Sequence, residues 1–215
     1  MATSTLPFRF YLITDRLADQ AAGRPAPATE LPRLVAAGLR ALQVREKDLP
    51  PAALAAFCEG LRAALPAGHG CDLFLNDRAD LALSLGLAGV HLREDSLPLA
   101  RQAPLLRAGL RYGVSTHTIE GVRAAEAAGA AFVTFGPVYE TASKAAYGAP
   151  VGLRALEQAA SHTGLPLLAL GGVTPERARD CLAVGAWGVA AISAVWAAPD
   201  PVAALARFEA ALGGL

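Results

Sequence analysis

Three long polar side chains, Gln43, Arg45 and Lys47, occupy alternate positions in "QVREK". Alternate residues of an extended chain share a face, so one amide and two cations point the same way. Arg45 and Lys47, with Asn76 and Lys144 further along the chain, suit a polyanion such as a pyrophosphate. Further on, Asn76-Asp77 follows the apolar run "LFL", His91 sits in "GVHL", and Ser115 and His117 sit in "GVSTHT". "FGPVYETASK" closes on Thr141, Ser143 and Lys144. Gly171-Gly172 and Ser193 complete the set. Glycine has no Cβ, so backbone N–H groups there can approach an anion and cradle a phosphate monoester. Asp77 is out of place beside so many cations unless a divalent ion bridges it to phosphate oxygens, as Mg²⁺ does with one or two carboxylates.

Each residue also has a plainer use. Asn76-Asp77 could cap the helix that "DLALSLG" predicts. His91 or His117 could be a packed, hydrogen-bonded ring, and Lys144 a solvated loop residue. Gln43, Arg45 and Lys47 could form a salt-bridged strand end. What tips the balance is the set of elements that must carry them.

Short β-rich runs alternate with Ala/Leu-rich helical segments along the whole chain. The strand candidates are 8–14, 41–46, 73–75, 89–92, 111–115, 131–136, 166–170 and 188–193. Helical runs separate them, several opening on Thr or Asp and closing on Gly. "AAGRPAPA" (21–28) reads as a loop. Eight βα units in a chain of 215 residues predict a single (β/α)₈ TIM barrel, an α/β fold. A doubly wound open sheet fits less well, because no G-x-G-x-x-G follows the first strand. In a barrel every residue named above falls at the C-terminal ends of strands, on one rim, where such folds place their chemistry. The polar clusters therefore converge on one pocket.

Bulk properties narrow the class. The length suits one domain, residues 1–215, with 1–7 as a short N-terminal tail. Nineteen basic residues balance nineteen acidic ones, which argues against a nucleic-acid groove. Cys58, Cys71 and Cys181 are odd in number and lack C-x-x-C spacing, as in a reduced cytoplasmic protein with neither zinc site nor disulfide. No signal-peptide pattern and no apolar run of about 18 residues appears, so no membrane association is expected. The Ala-rich helices would permit a homodimer.

With those residues in view, the sequence resembles the thiamine phosphate synthase/TenI family of small TIM barrels. The likeness runs through "YLITD", "QVREK", "NDRADLAL", "GVHL", "GVSTHT", "FGPVYETASK", "LALGGVTPE" and "GVAAISA". The resemblance implies a synthase in which a pyrimidine pyrophosphate loses pyrophosphate and its methylene carbon is captured by the nitrogen of a thiazole phosphate. It implies that Arg45, Lys47, Asn76 and Lys144 hold the pyrophosphate and that Asp77 binds Mg²⁺. Gln43, His91 and Ser115 match positions around the pyrimidine. Thr141, Gly171, Gly172 and Ser193 match positions around the thiazole and its phosphate, and Ser143 and Ile192 are further substrate-binding candidates.

One motif departs from the synthase pattern. Synthases carry Gly-Gln-x-Asp after the fourth strand, and that Asp is the second metal ligand. Here "HLREDSLP" places Arg93 and Glu94 in the first two positions and Ser96 in the Asp position, leaving Glu94 or Asp95 as substitutes. The same loop resembles the TenI branch, whose members isomerise a thiazole phosphate carboxylate without metal. There His117 would be the general acid/base. A non-catalytic thiazole- or thiamine-phosphate-binding regulator is a third reading.

Overall fold

The structure is a computed structural model that describes residues 6–94, 96, 101, 109–141 and 149–213. Its eight strands are β1 (Phe10–Ile13), β2 (Ala41–Val44), β3 (Asp72–Asn76), β4 (Gly89–Leu92), β5 (Arg111–Thr116), β6 (Phe132–Phe135), β7 (Leu167–Leu170) and β8 (Gly188–Ala191). All pair in parallel and close in chain order, with Phe10 beside Val189 and Tyr11 beside Ala190 at the seam. The expected barrel is observed. β3 runs one residue further than the apolar pattern suggests and carries Asn76 to the rim. Ile192 and Ser193, expected at the end of β8, instead begin a short helix.

The helices are α1 (Arg16–Ala21), α2 (Pro27–Ala36), α3 (Pro51–Ala64), α4 (Ala79–Ser84), α5 (Ile119–Ala127), α6 (Gly152–Ser161), α7 (Pro175–Ala183), α8 (Ser193–Trp196) and α9 (Pro201–Leu212). Thr118, Thr174 and Asp200 cap α5, α7 and α9 with side-chain oxygens. Each satisfies backbone N–H groups that the first turn leaves without partners. Sequence periodicity does not reveal α1; Asp15 starts it by accepting from Ala18 N. The loop expected over 21–28 is therefore shorter, since Ala21 ends α1 and Pro27 opens α2. The helical run expected over 97–109 lies almost wholly outside the described residues. Among them, no helix is long and apolar enough to cross a membrane.

Strand alternation sorts the apolar residues into two shells. Tyr11, Ile13, Phe74, Phe132, Leu168 and Ala190 fill the barrel, with Phe8 beneath them. Leu12, Leu42, Leu75, Val90, Val133 and Val189 face outward onto helical residues such as Leu31, Leu61, Leu205 and Phe208. Inside, Tyr11 meets Phe74 and Phe132 edge-on, at centroid distances of 5.6 and 5.3 Å. Each buried ring contributes on the order of 2–3 kcal/mol. Gly113 makes room for them: a Cβ there would lie 2.4 Å from the Phe132 ring and 2.8 Å from His91 Nδ1. The aromatic layer is the floor on which the rim residues stand.

Candidate active site

The site begins with two amides. Gln43 is 3% exposed and its Nε2 donates to Asn76 Oδ1 at 3.1 Å. This orients both groups, leaving Gln43 Oε1 as an acceptor and the Asn76 amino group as a donor. Thr14, at the end of β1, ties the first two loops together. Its N–H donates to Gln43 O at 3.0 Å, and its hydroxyl accepts from Arg45 N at 3.0 Å. Arg45 is half-buried and Lys47 exposed.

Asp77 does not cap α4. The cap position belongs to Arg78, without a side-chain bond. Asp77 is instead the one non-glycine residue with positive φ (64°) among those described, and its N–H donates to His91 O at 2.9 Å. A non-glycine in that region is strained, and such strain persists where surrounding structure enforces it. Its carboxylate accepts from Ser96 Oγ, while Arg93 Nε approaches at 4.0 Å. Ser96 Oγ also accepts from Arg93 N at 2.8 Å. Of the two expected substitutes for a second metal ligand, Glu94 lies against Gly121 in the first turn of α5, and Asp95 lies outside the described residues. Among the described residues, no three His, Cys, Asp or Glu side chains gather as a metal site. One partly exposed carboxylate still fits Mg²⁺, which commonly takes one or two carboxylates and completes its shell with waters and substrate phosphates.

His91 is 1% exposed and sits directly on the aromatic floor. Its Nδ1 lies 3.4 Å from the Tyr11 hydroxyl and its Nε2 3.0 Å from Ser115 Oγ. Burial lowers the His91 pKa from 6.5 to about 3, so the ring is neutral. Burial also raises Tyr11 well above its usual value, so Tyr11 keeps a proton to donate to Nδ1. That places the ring proton on Nε2, facing Ser115. Thr134 Oγ1 donates to the same Ser115 oxygen at 3.4 Å. With two donors on its oxygen, Ser115 can direct its own proton to a ligand. Asn76 and His91 are register neighbours, so a polar belt runs from Gln43 across Asn76 and His91 to Ser115.

The opposite wall comes from the loops after β6, β7 and β8. Val138 N donates to Leu170 O at 2.9 Å and Tyr139 N to Gly171 O at 3.0 Å, binding the β6 loop along the end of β7. Gly171 (φ 97°) and Gly172 (φ 63°) permit this approach; Cβ atoms there would lie 2.5 Å from Pro137 Cβ and 2.4 Å from Glu140 O. The glycines thus have a packing reason as well as the anion-cradle role their sequence suggests. Arg177 joins the same wall, donating to Gly172 O at 2.7 Å with its guanidinium 4.5 Å from the Tyr139 ring centre. Ile192 and Ser193 lie where β8 passes into the short α8. His117 is exposed, and its Nδ1 bonds Gly136 O. A carbonyl only accepts, so Nδ1 carries a proton, and the tautomer this fixes has its lone pair on Nε2.

Residues 10–195 match the family described as thiamine monophosphate synthase. The chain belongs to that family. A Geobacter sulfurreducens protein, provisionally named a thiamine-phosphate synthase, is 47% identical over 194 residues, 90% of this chain and 89% of that one. A thiamine-phosphate synthase of Roseiflexus castenholzii is 38% identical over 207 residues, covering 94% and 89% of the two chains. Among solved structures, a thiamine phosphate pyrophosphorylase from Pyrococcus furiosus superposes with a TM-score of 0.82 at 27% identity, over 95% of both chains.

In this thiamine monophosphate synthase family member, the fold brings Gln43, Asn76, Asp77, His91 and Ser115 together on adjacent strands. Thr141 is at the edge of the described residues, and Ser143 and Lys144 lie outside them. Tyr11, Thr14 and Arg177 support the site and are overlooked by motif reading, which names Ser96 only as the residue at the missing Asp position. A hydroxyl at the end of an apolar strand was a usable signal for Thr14. Tyr11 and Arg177 act through contacts distant in sequence and carried none.

Proposed function

We propose that this chain is a thiamine-phosphate synthase. The reaction joins hydroxymethylpyrimidine pyrophosphate to a thiazole phosphate or its carboxylate, giving thiamine phosphate and pyrophosphate, with the carboxylate leaving as CO₂ where it is present. The observation that carries this reading is the belt from Gln43 to Ser115 beside Arg45, Lys47 and Asp77. It offers oriented neutral groups for a heterocycle next to cations for a leaving polyanion. The C–O bond to pyrophosphate breaks, charge collects on the departing oxygens, and the thiazole nitrogen forms the new C–N bond. Arg45, Lys47 and the Asn76 amino group would hold those oxygens where the charge appears, which is where fixed donors lower a barrier most. Lys144 is assigned to the same anion by resemblance. Asp77 would hold Mg²⁺, which when bound supplies further charge stabilisation at the pyrophosphate. Gln43 Oε1 and the Ser115 hydroxyl would orient the pyrimidine. Thr141, Ser143, Gly171, Gly172, Ile192 and Ser193 would surround the thiazole and its phosphate, at the loops and short helix where barrels bind phosphate.

A second reading rests on the lone pair left on His117 Nε2, which suits proton transfer in a thiazole tautomerase. The two separate in one assay. Purified protein is mixed with both phosphorylated substrates and Mg²⁺, and thiamine phosphate is followed by its oxidised fluorescence. Mg²⁺-dependent product is expected. No product, with faster turnover when a known synthase is added, would instead select the tautomerase, whose activity should survive EDTA and vanish in His117→Ala.

A further inference from the structure

The loop after β2 reads Arg45-Glu46-Lys47-Asp48, basic and acidic by turns. The reaction proposed above gives work to the two bases and none to Glu46, which is nonetheless a carboxylate only 6% exposed. A charge so deeply buried is costly unless several partners receive it. Glu46 has them. Both carboxylate oxygens accept from the Arg16 N–H, at 3.2 and 3.1 Å, and Arg16 Nε stands 3.8 Å away. Burial raises the Glu46 pKa, and the Thr14 hydroxyl and the Arg16 N–H oppose the rise. That hydroxyl accepts in turn from Arg45 N at 3.0 Å. Arg16 continues the connection by pairing with Asp48 and donating from Nη1 to Gln20 at 2.9 Å.

The contacts form a knot between two loops. Both acidic residues of the tetrapeptide are committed to Arg16, which opens α1 after the β1 loop, and Glu46 lies in sequence between Arg45 and Lys47. Arg16 Nε is buried with no hydrogen-bond partner, so Glu46 offsets its charge by proximity alone. Thr14 adds a second tie between the same loops, with its N–H on Gln43 O and its hydroxyl accepting from Arg45 N.

We propose that Glu46 is a positioning residue for the pyrophosphate side of the site, its buried carboxylate locking the β1 and β2 loops so that Arg45 and Lys47 are presented in one fixed arrangement. The inference rests on the pyrophosphate-holding role assigned above to Arg45 and Lys47. It specifies how a loop outside the regular strand keeps two long, flexible side chains aligned.

The test is calorimetric titration of inorganic pyrophosphate, and separately inorganic phosphate, into the full chain and its variants. Glu46→Gln removes the charge facing Arg16 and leaves its N–H one acceptor oxygen in place of two. Pyrophosphate affinity is expected to fall by about tenfold or more. Affinity for phosphate, at the glycine wall, should stay within about twofold. In turnover, the KM for the pyrimidine pyrophosphate should rise while that for the thiazole phosphate holds. Should Glu46→Gln fail to fold, Arg16→Gln removes the charge that faces Glu46 and Asp48 from the other side of the knot, and Arg16→Lys should retain it. Unchanged pyrophosphate binding in the folded variants overturns the role of Glu46 alone. Equal loss for both anions also overturns it, showing a general structural effect. Failure of the unaltered chain to bind pyrophosphate overturns the proposed function, and this inference with it.

Discussion

His91 Nε2 stands 3.0 Å from Ser115 Oγ, and the ring is sealed from solvent on an aromatic floor. With its pKa held at about 3 by burial, His91 cannot cycle between charge states at neutral pH. Ser115 is the polar end of that pair. Ser115→Ala should keep the fold and lower turnover by about 10–100-fold, the loss of an oriented hydrogen bond in the transition state. Steady-state kinetics against both substrates would measure it. Wild-type activity in Ser115→Ala would remove Ser115 from the site.

The same burial makes His91 a stability determinant. An unfolded histidine titrates near 6.5, whereas the folded ring titrates at about 3. Between those values the unfolded chain binds the extra proton, so stability falls as pH falls through that window; above it the penalty is absent. At about pH 5 the loss from this one ring should be about 2 kcal/mol relative to neutral pH. Urea unfolding of the chain and of His91→Gln at both pH values checks this. The variant should lose less on acidification; equal losses would show that the folded ring is protonated after all.

Much of this arrangement was readable before any coordinates, for identifiable reasons. Strand period and βα alternation are local, and they placed Gln43, Asn76, His91 and Ser115 on one rim. Asn76-Asp77 shows where local reasoning stops. A polar pair before a helix normally caps it, yet Asn76 is taken by Gln43 across the sheet and Asp77 by Ser96 from another loop. Gly171-Gly172 read as an anion cradle, while the closest constraint on both is backbone and side-chain packing from the β6 loop. The proton position on His91 depends on Tyr11, and the placement of the Glu46 carboxylate on Arg16. No sequence window contains both partners.

Asp77 carries the metal expectation. Asp77→Asn should remove most Mg²⁺-dependent turnover, by about 100-fold or more if the carboxylate anchors the ion at the leaving group. Thiazole phosphate binding should be nearly unchanged, because its proposed loops lie across the barrel. Mn²⁺ binding followed by electron paramagnetic resonance gives a reading independent of turnover. Equal loss of turnover and thiazole phosphate affinity would show that Asp77 serves the fold and not the metal.

Gly172 tests whether the wall opposite is held by fit. Its φ of 63° disfavours any L side chain, and a Cβ would lie 2.4 Å from Glu140 O and 2.8 Å from Tyr139 Cβ. Gly86 is the matched control, with φ of 59° and nothing within 4 Å of its added Cβ. Alanine at Gly86 should cost only the left-handed backbone penalty, about 1 kcal/mol. Gly172→Ala should add the clash with a backbone segment that cannot rotate aside, for a total of about 2–4 kcal/mol. In a chain of this size that is a fall in Tm of about 4–16 °C, readable by calorimetry. The displaced Tyr139–Glu140 segment leads into Thr141, so thiazole phosphate affinity should fall with it while pyrophosphate affinity holds. If both alanine variants lose the same small amount and bind both anions normally, the β6 loop does not depend on the Gly172 contact, and the glycine is needed only for its φ.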